Sequence, residues 1–203
     1  MKFQLIFLCF FSLLFLNCDE ANKSKERNDV PGEYYALDED NIDVFLPAYF
    51  REFSEDEYDL LIDSLPDSEE KRIERKRFNY LKFSKGNIYY FKDVASSTLI
   101  SVKMGEYIDF TKEESAYLLG MMSNTCSSYA EMLDMNYEKL NAGYSGLSKT
   151  KVFKGAYKIS NGINYSSYST MYLITSNYKT FSINIYSNSN KNYNSFIEKI
   201  VVR

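Results

Sequence analysis

Between residues 150 and 187 the chain repeats one pattern three times, and that pattern leaves few folds open. Thr150–Ile159, Ser167–Ser176 and Thr180–Ser187 are each rich in β-branched and aromatic residues, the types that fit a pleated, half-buried surface. In the last run Phe181, Ile183 and Ile185 alternate with polar residues, so one face of that strand is buried and the other wet. Asn177-Tyr178-Lys179 reads as the turn between the final pair, and Ser160–Ser166, with Gly162 inside it, as a polar loop. Strands joined by such short links lie antiparallel, because a parallel partner needs a long crossover.

Upstream, Asn87–Val94 and Thr98–Met104 form a second β-rich pair around Ala95-Ser96-Ser97, a predicted hairpin. Ile42–Leu46 is a short strand stopped by Pro47. Helices occupy the gaps. Ser54 and Glu57 stand at capping-box spacing, and Tyr58, Leu61, Ile62 and Leu65 share a face before Pro66. Residues 67–80 are dense in charge, with Ile73, Phe78, Tyr80 and Leu81 as anchors, which predicts a largely exposed second helix. A third starts at Thr111, with Glu114 completing a capping box, turns Tyr117, Leu118, Met121 and Met122 inward, and either runs on or restarts through Tyr129, Met132 and Leu133. An amphipathic helix over 192–201 closes the chain, with Phe196, Ile197, Ile200 and Val201 on one face. Residues 141–148 (NAGYSGLS) are the most glycine-rich stretch and read as a flexible loop joining the third helix to the meander. Without a P-loop lysine or dinucleotide glycine spacing, that loop is no phosphate cradle.

This order of elements predicts an α+β domain: an antiparallel sheet of about five to six strands flanked by helices. A short early strand carrying Phe-Leu-Pro, an internal helix pair, long Tyr-rich antiparallel strands and a closing helix rich in Ile and Phe resemble the Mog1/PsbP-like fold, over Ile42 to Val202. The resemblance rests on element order and implies a non-enzymatic binding or accessory role by analogy.

The N-terminus carries an address. Met1-Lys2 leads into an apolar run, Phe3–Leu16, that is too short for a permanent bilayer span and reads as a cleaved export signal. Leu14 to Cys18 resembles the lipobox of bacterial lipoproteins, although Asn17 stands where a small residue is usual. The resemblance implies that Cys18 receives diacylglycerol and becomes the first residue of the mature chain. The expected organisation is a signal peptide over 1–17, a lipidated Cys18 with a polar tether over 18–33, and a single domain over 34–203. Asp19-Glu20 resembles the acidic signal that sends some Gram-negative lipoproteins to the outer face of the outer membrane. The implied location is the Gram-negative envelope, lipid-anchored at the outer membrane on its periplasmic or surface face.

Composition then excludes chemistry. The chain has no histidine, which removes Ser-His-Asp and Cys-His catalysis, His-rich zinc sites and imidazole proton shuttles. It has no tryptophan, and its net charge of −4 is too mild and mixed for nucleic acid. With Cys9 in the leader and Cys18 taken by lipid, Cys126 stands alone, cannot form an intramolecular disulfide, and reads as a buried small apolar residue. Asp38, Glu39, Asp40 and Asp43 lack the glycine of a calcium loop. Lys71, Arg72, Arg75, Lys76 and Arg77 are interleaved with Glu69, Glu70 and Glu74, as on a solvated helix of mixed ion pairs.

What remains is tyrosine, 19 of them, each offering a large ring with a polar tip. Tyr89, Tyr144, Tyr165 and Tyr168, in expected strands and loops, form the candidate binding surface. The reading is a membrane-anchored, non-enzymatic binding or accessory module that uses no metal or cofactor, held by lipid on Cys18 and meeting an envelope protein partner. Two alternatives stay open: a carboxylate-dependent hydrolase acting on cell-wall or glycan substrates, and an immunity-type lipoprotein that binds a secreted toxin.

Overall fold

A computed structural model describes residues 31–203 apart from positions 94 and 148; the expected leader, Cys18 and most of the tether lie outside the described residues. Strands are β1 (Glu33–Leu37), β2 (Ile42–Leu46), β3 (Arg51–Phe53), β4 (Ile88–Asp93), β5 (Thr98–Gly105), β6 (Asn136–Leu147), β7 (Thr150–Ser160), β8 (Ser166–Ser176), β9 (Lys179–Ser187) and β10 (Val201–Val202). Helices are α1 (Glu55–Ser64), α2 (Glu69–Lys82), α3 (Ser115–Leu133) and the single turn α4 (Asn194–Ile197).

A seven-stranded sheet in the order β3-β4-β5-β9-β8-β7-β6 forms the centre, every neighbouring pair antiparallel. The meander of residues 150–187 is present as read. Asn177 and Tyr178 both take positive φ, 47° and 59°, the backbone that matches the twist of a two-residue hairpin. α3 carries the chain from β5 to the far edge of the sheet, and β9 returns to pair with β5 from Leu99↔Tyr186 to Gly105↔Thr180.

α1, α2 and α3 cover one face of this sheet. α1 begins with the full capping box, Ser54 accepting from the Glu57 N–H and Glu57 from the Ser54 N–H. Its buried Tyr58 stacks on Tyr90 at 5.1 Å and meets Phe78 edge-on at 5.6 Å, pinning α1 and α2 to β4. α3 covers the β7–β8 half through Leu118, Met122, Cys126 and Tyr129, against Phe153, Tyr157 and Ile159. Gly155 permits that approach: a Cβ there would lie 3.1 Å from Met122 Sδ and 3.0 Å from Tyr157 Cε2. The opposite face meets a three-stranded sheet, β1-β2-β10, and α4, with the Tyr35 ring 5.1 Å from Phe91 and Phe45 stacked on Phe196 at 6.0 Å.

Five readings need correction. Residues 141–148 are no loop, because 141–147 belong to β6, paired with β7 from Asn136↔Ser160 to Leu147↔Thr150 with a bulge between Lys139 and Asn141. The closing helix is one turn long, because the β-branched tail is drawn out to pair with β2, Val201↔Asp43 and Val202↔Ile42. α3 starts at Ser115 rather than Thr111; Glu114 does accept from the Thr111 N–H at 2.7 Å, but no side-chain cap closes the helix. Its inward stripe is Leu118, Met122, Cys126, Tyr129 and Leu133; of the four residues expected inward, Tyr117 and Met121, each one position off that stripe, are 70% and 45% exposed. In α2, Tyr80 is an exposed ring rather than an anchor, while Glu74 and Arg77 are buried.

Candidate functional site

The charged stretch of α2 works inward. Lys71 Nζ donates to the carbonyls of Asp63 and Leu65 at 2.7 and 3.0 Å, closing the C-terminal end of α1. Arg72 pairs with Glu69 and donates to the Leu133 carbonyl at 3.0 Å, and Lys76 donates to the Met132 carbonyl at 2.6 Å. Cations at free helix-terminal carbonyls satisfy them and favour the dipole. Arg75 holds Asp59 and Asp63. Glu74, under the helix, accepts from Tyr58 Oη at 2.5 Å and Arg77 Nη1 at 2.9 Å, with Lys92 Nζ at 3.5 Å. Burial would raise the Glu74 carboxyl, but Arg77 and Lys92 outweigh it and hold it below the usual carboxylate range. Arg77 also meets Tyr129 Oη at 3.2 Å and lies 4.1 Å over the Tyr186 ring. These five cations are engaged with the protein itself, which makes α2 a brace between α1, α3 and the sheet.

The acidic stretch is likewise paired. Arg203 lies 3.2 Å from Asp38 and 3.0 Å from Asp43, and Asp40 accepts from Tyr89 Oη at 2.6 Å and Asn87 Nδ2 at 3.1 Å. Among the described residues no group of three or more Cys, Asp or Glu is arranged to hold a metal ion.

The four candidate tyrosines do not converge. Register puts Tyr89 and Tyr168 on the face toward the small sheet, separated by the width of β5 and β9. Tyr89 is half-buried, and burial followed by its bond to Asp40 pushes its phenol up. Tyr144 and Tyr165 pack against the α3 core, Tyr144 edge-on to Phe110 at 6.2 Å. Tyr165 borders a crevice only about 10 Å³ in volume beside Glu74 and Arg77.

The enclosed space lies elsewhere. A cleft of about 440 Å³ opens where α4 and the C-terminal segment leave β6, β7 and β8 partly uncovered. Its floor is Val152, Lys154, Tyr172 and Ile174, its wall Asn194, Ile197, Ile200 and Val202, and its rim includes Tyr144, Ser145 and Glu198. Asn194 Oδ1 accepts from both Lys154 Nζ at 3.0 Å and Tyr172 Oη at 2.8 Å. Lys154 Nζ also lies 5.5 Å from the Tyr172 ring centre, and burial lowers its pKa. A second depression, of about 480 Å³ lined by Lys76, Asn79, Tyr80, Phe83, Ser84 and Met132, is more open, and its lysine is already spent on the Met132 carbonyl. Of the four candidate tyrosines, Tyr144 alone borders the cleft, beside Ser145 of the expected 141–148 loop and Ile197 and Ile200 of the expected closing helix; neither Lys154 nor Asn194 stood out in the sequence. Lys154 and Tyr172 stand on strands that mix polar and apolar residues on both faces, and only register reveals that the two are direct cross-strand partners on one side of the sheet.

No family model matches the chain, and no curated protein matches it. Solved structures do. The chain is similar to the solution structure of cyanobacterial PsbP (CyanoP) from Synechocystis sp. PCC 6803, with a TM-score of 0.54 and 10% identity over 85% of this chain and 93% of that one. The Ran-binding protein Mog1p of Saccharomyces cerevisiae is matched at a TM-score of 0.48 and 12% identity, over 84% of this chain and 95% of its own. Ten per cent identity carries the fold and nothing further. Residues 31–203 therefore adopt a Mog1/PsbP-like α+β fold.

Proposed function

We propose that this chain is an accessory lipoprotein of the Gram-negative envelope, anchored at the outer membrane through lipid on Cys18, whose domain binds rather than catalyses. The observation that carries the binding half is the cleft: it joins an apolar floor and wall to the donors of Lys154, Asn194 and Tyr172. Its volume falls within the usual range for small-molecule sites, and a few convergent polar groups in an apolar hollow are their usual composition. Glu198 is the one carboxylate on its lining, where a glycosidase-like reading needs a facing pair. The anchoring half rests on the run Phe3–Leu16 and the lipobox-like Leu14 to Cys18. Tethering concentrates the domain at the membrane, so that modest affinity suffices.

Metabolic labelling with a radiolabelled fatty acid tests the anchor. The wild-type chain should take up label and Cys18→Ser should not. An unlabelled wild-type chain, or equal labelling of both, would overturn it.

A further inference from the structure

Lys154 is a half-buried cation whose protein partners are neutral. Asn194 Oδ1 accepts one of its N–H groups and the Tyr172 ring lies beneath it. Among the described residues Lys154 has no ion pair and no further interaction. The contrast with the opposite face is direct: there the buried Arg77 and Lys92 share the Glu74 carboxylate. A cation partly removed from water with no counter-charge carries part of a desolvation cost, and here it faces a cleft rather than a packed core.

The surrounding groups specify what would fill the place. Asn194 spends its Oδ1 on two donors, which leaves its Nδ2 as a further donor beside the ammonium. Two donor groups side by side match the two oxygens of a carboxylate. Beyond them Val152, Ile174, Ile197, Ile200 and Val202 supply an apolar enclosure for an attached alkyl or aryl body. Glu198 on the rim disfavours a second negative charge.

We propose that the cleft is a binding site for a small amphipathic monocarboxylate, its carboxylate on Lys154 Nζ and Asn194 Nδ2 and its apolar body against the C-terminal segment. The proposal deepens the binding reading given above and is independent of the lipid anchor.

The test uses the full chain in nanodiscs, with empty nanodiscs as the blank, and isothermal titration of para-butylbenzoate against its neutral isostere para-butylbenzyl alcohol. The carboxylate should bind more tightly, and Lys154→Met should weaken it about ten- to a hundred-fold, as expected for a charge-assisted hydrogen bond. The alcohol should be insensitive to that substitution. Asn194→Ala, at an exposed position of a single turn, should weaken the carboxylate as well and serves as the second variant if Lys154→Met fails to fold. Saturable carboxylate binding lost in either variant supports the proposal. Equal affinity for acid and alcohol, no effect of either substitution, or no saturable binding overturns it; the first two outcomes leave the cleft as a site of different chemistry, and the third also removes the reading of the cleft as a small-molecule site.

Discussion

Replacing Glu74 by alanine should be among the most damaging single changes to this fold. Its carboxylate accepts from Tyr58, Arg77 and Lys92, and the Glu74, Arg77 and Lys92 side chains are only 4–5% exposed. Removing it strands two buried cations, a change that typically costs about 3–5 kcal/mol. The Tyr58 hydroxyl loses its acceptor as well, at about 1–3 kcal/mol. Arg77 keeps Tyr129 Oη and the Tyr186 ring, which places the net loss at about 4 kcal/mol. In a domain of this size that lowers the melting temperature by about 8–16 °C. Urea titration of Glu74→Ala and Tyr58→Phe measures it, with about 1.5–3 kcal/mol expected for the latter, which loses one bond to a charged acceptor. Acid sharpens the test. Because the folded-state Glu74 pKa lies below its unfolded value, its contribution is present above the usual carboxylate pKa and is lost as pH falls through the folded value. Wild type should therefore lose stability in acid more steeply than Glu74→Gln. A loss under about 1 kcal/mol in Glu74→Ala, or identical acid limbs, would refute the reasoning.

Phe196 is buried and stacked on Phe45, so Phe196→Ala should cost about 3–5 kcal/mol in the same titration, despite sitting in a single helical turn. Along α3, Leu118→Ala should cost about 2–5 kcal/mol, whereas Tyr117→Ser should stay within about 0.5 kcal/mol; the reverse ranking would mean that the helix faces the sheet in the other phase. Burial pushes the Cys126 thiol up to about 12, so iodoacetamide at mildly alkaline pH should leave Cys126 unmodified in the folded protein and alkylate it only in denaturant.

The regular parts of the fold were legible because local pattern and tertiary environment agree. The Ser54–Glu57 capping box and the alternation of Phe181, Ile183 and Ile185 need no distant partner to be read. β6 was hidden because Asn-Ala-Gly-Tyr-Ser-Gly has little strand propensity of its own; the β7 ladder holds it, and Leu140 at its bulge is left exposed. The burial of Glu74 and Arg77 was hidden for a related reason. In isolation EEKRIERKR is a solvated helix, and Tyr58 and Lys92, from two other elements, join Arg77 in making an inward-facing carboxylate tenable. Val201 reads as the end of a helix until β2 is known to have an open edge. The cleft combines all of these difficulties, since its floor and wall come from segments some forty residues apart, Lys154 to Asn194.

The most direct test of a cleft-based binding function is site-specific photo-crosslinking in growing cells, with benzoylphenylalanine at Ser145 on the cleft rim or at Leu60, an exposed position of α1. The mass of the recovered protein reads out the adducts. The expected result is an adduct from Ser145, none from Leu60, and loss of the Ser145 adduct when Lys154→Met is added. Adducts of equal yield at the two positions, or at Leu60 alone, would contradict the assignment of function to the cleft.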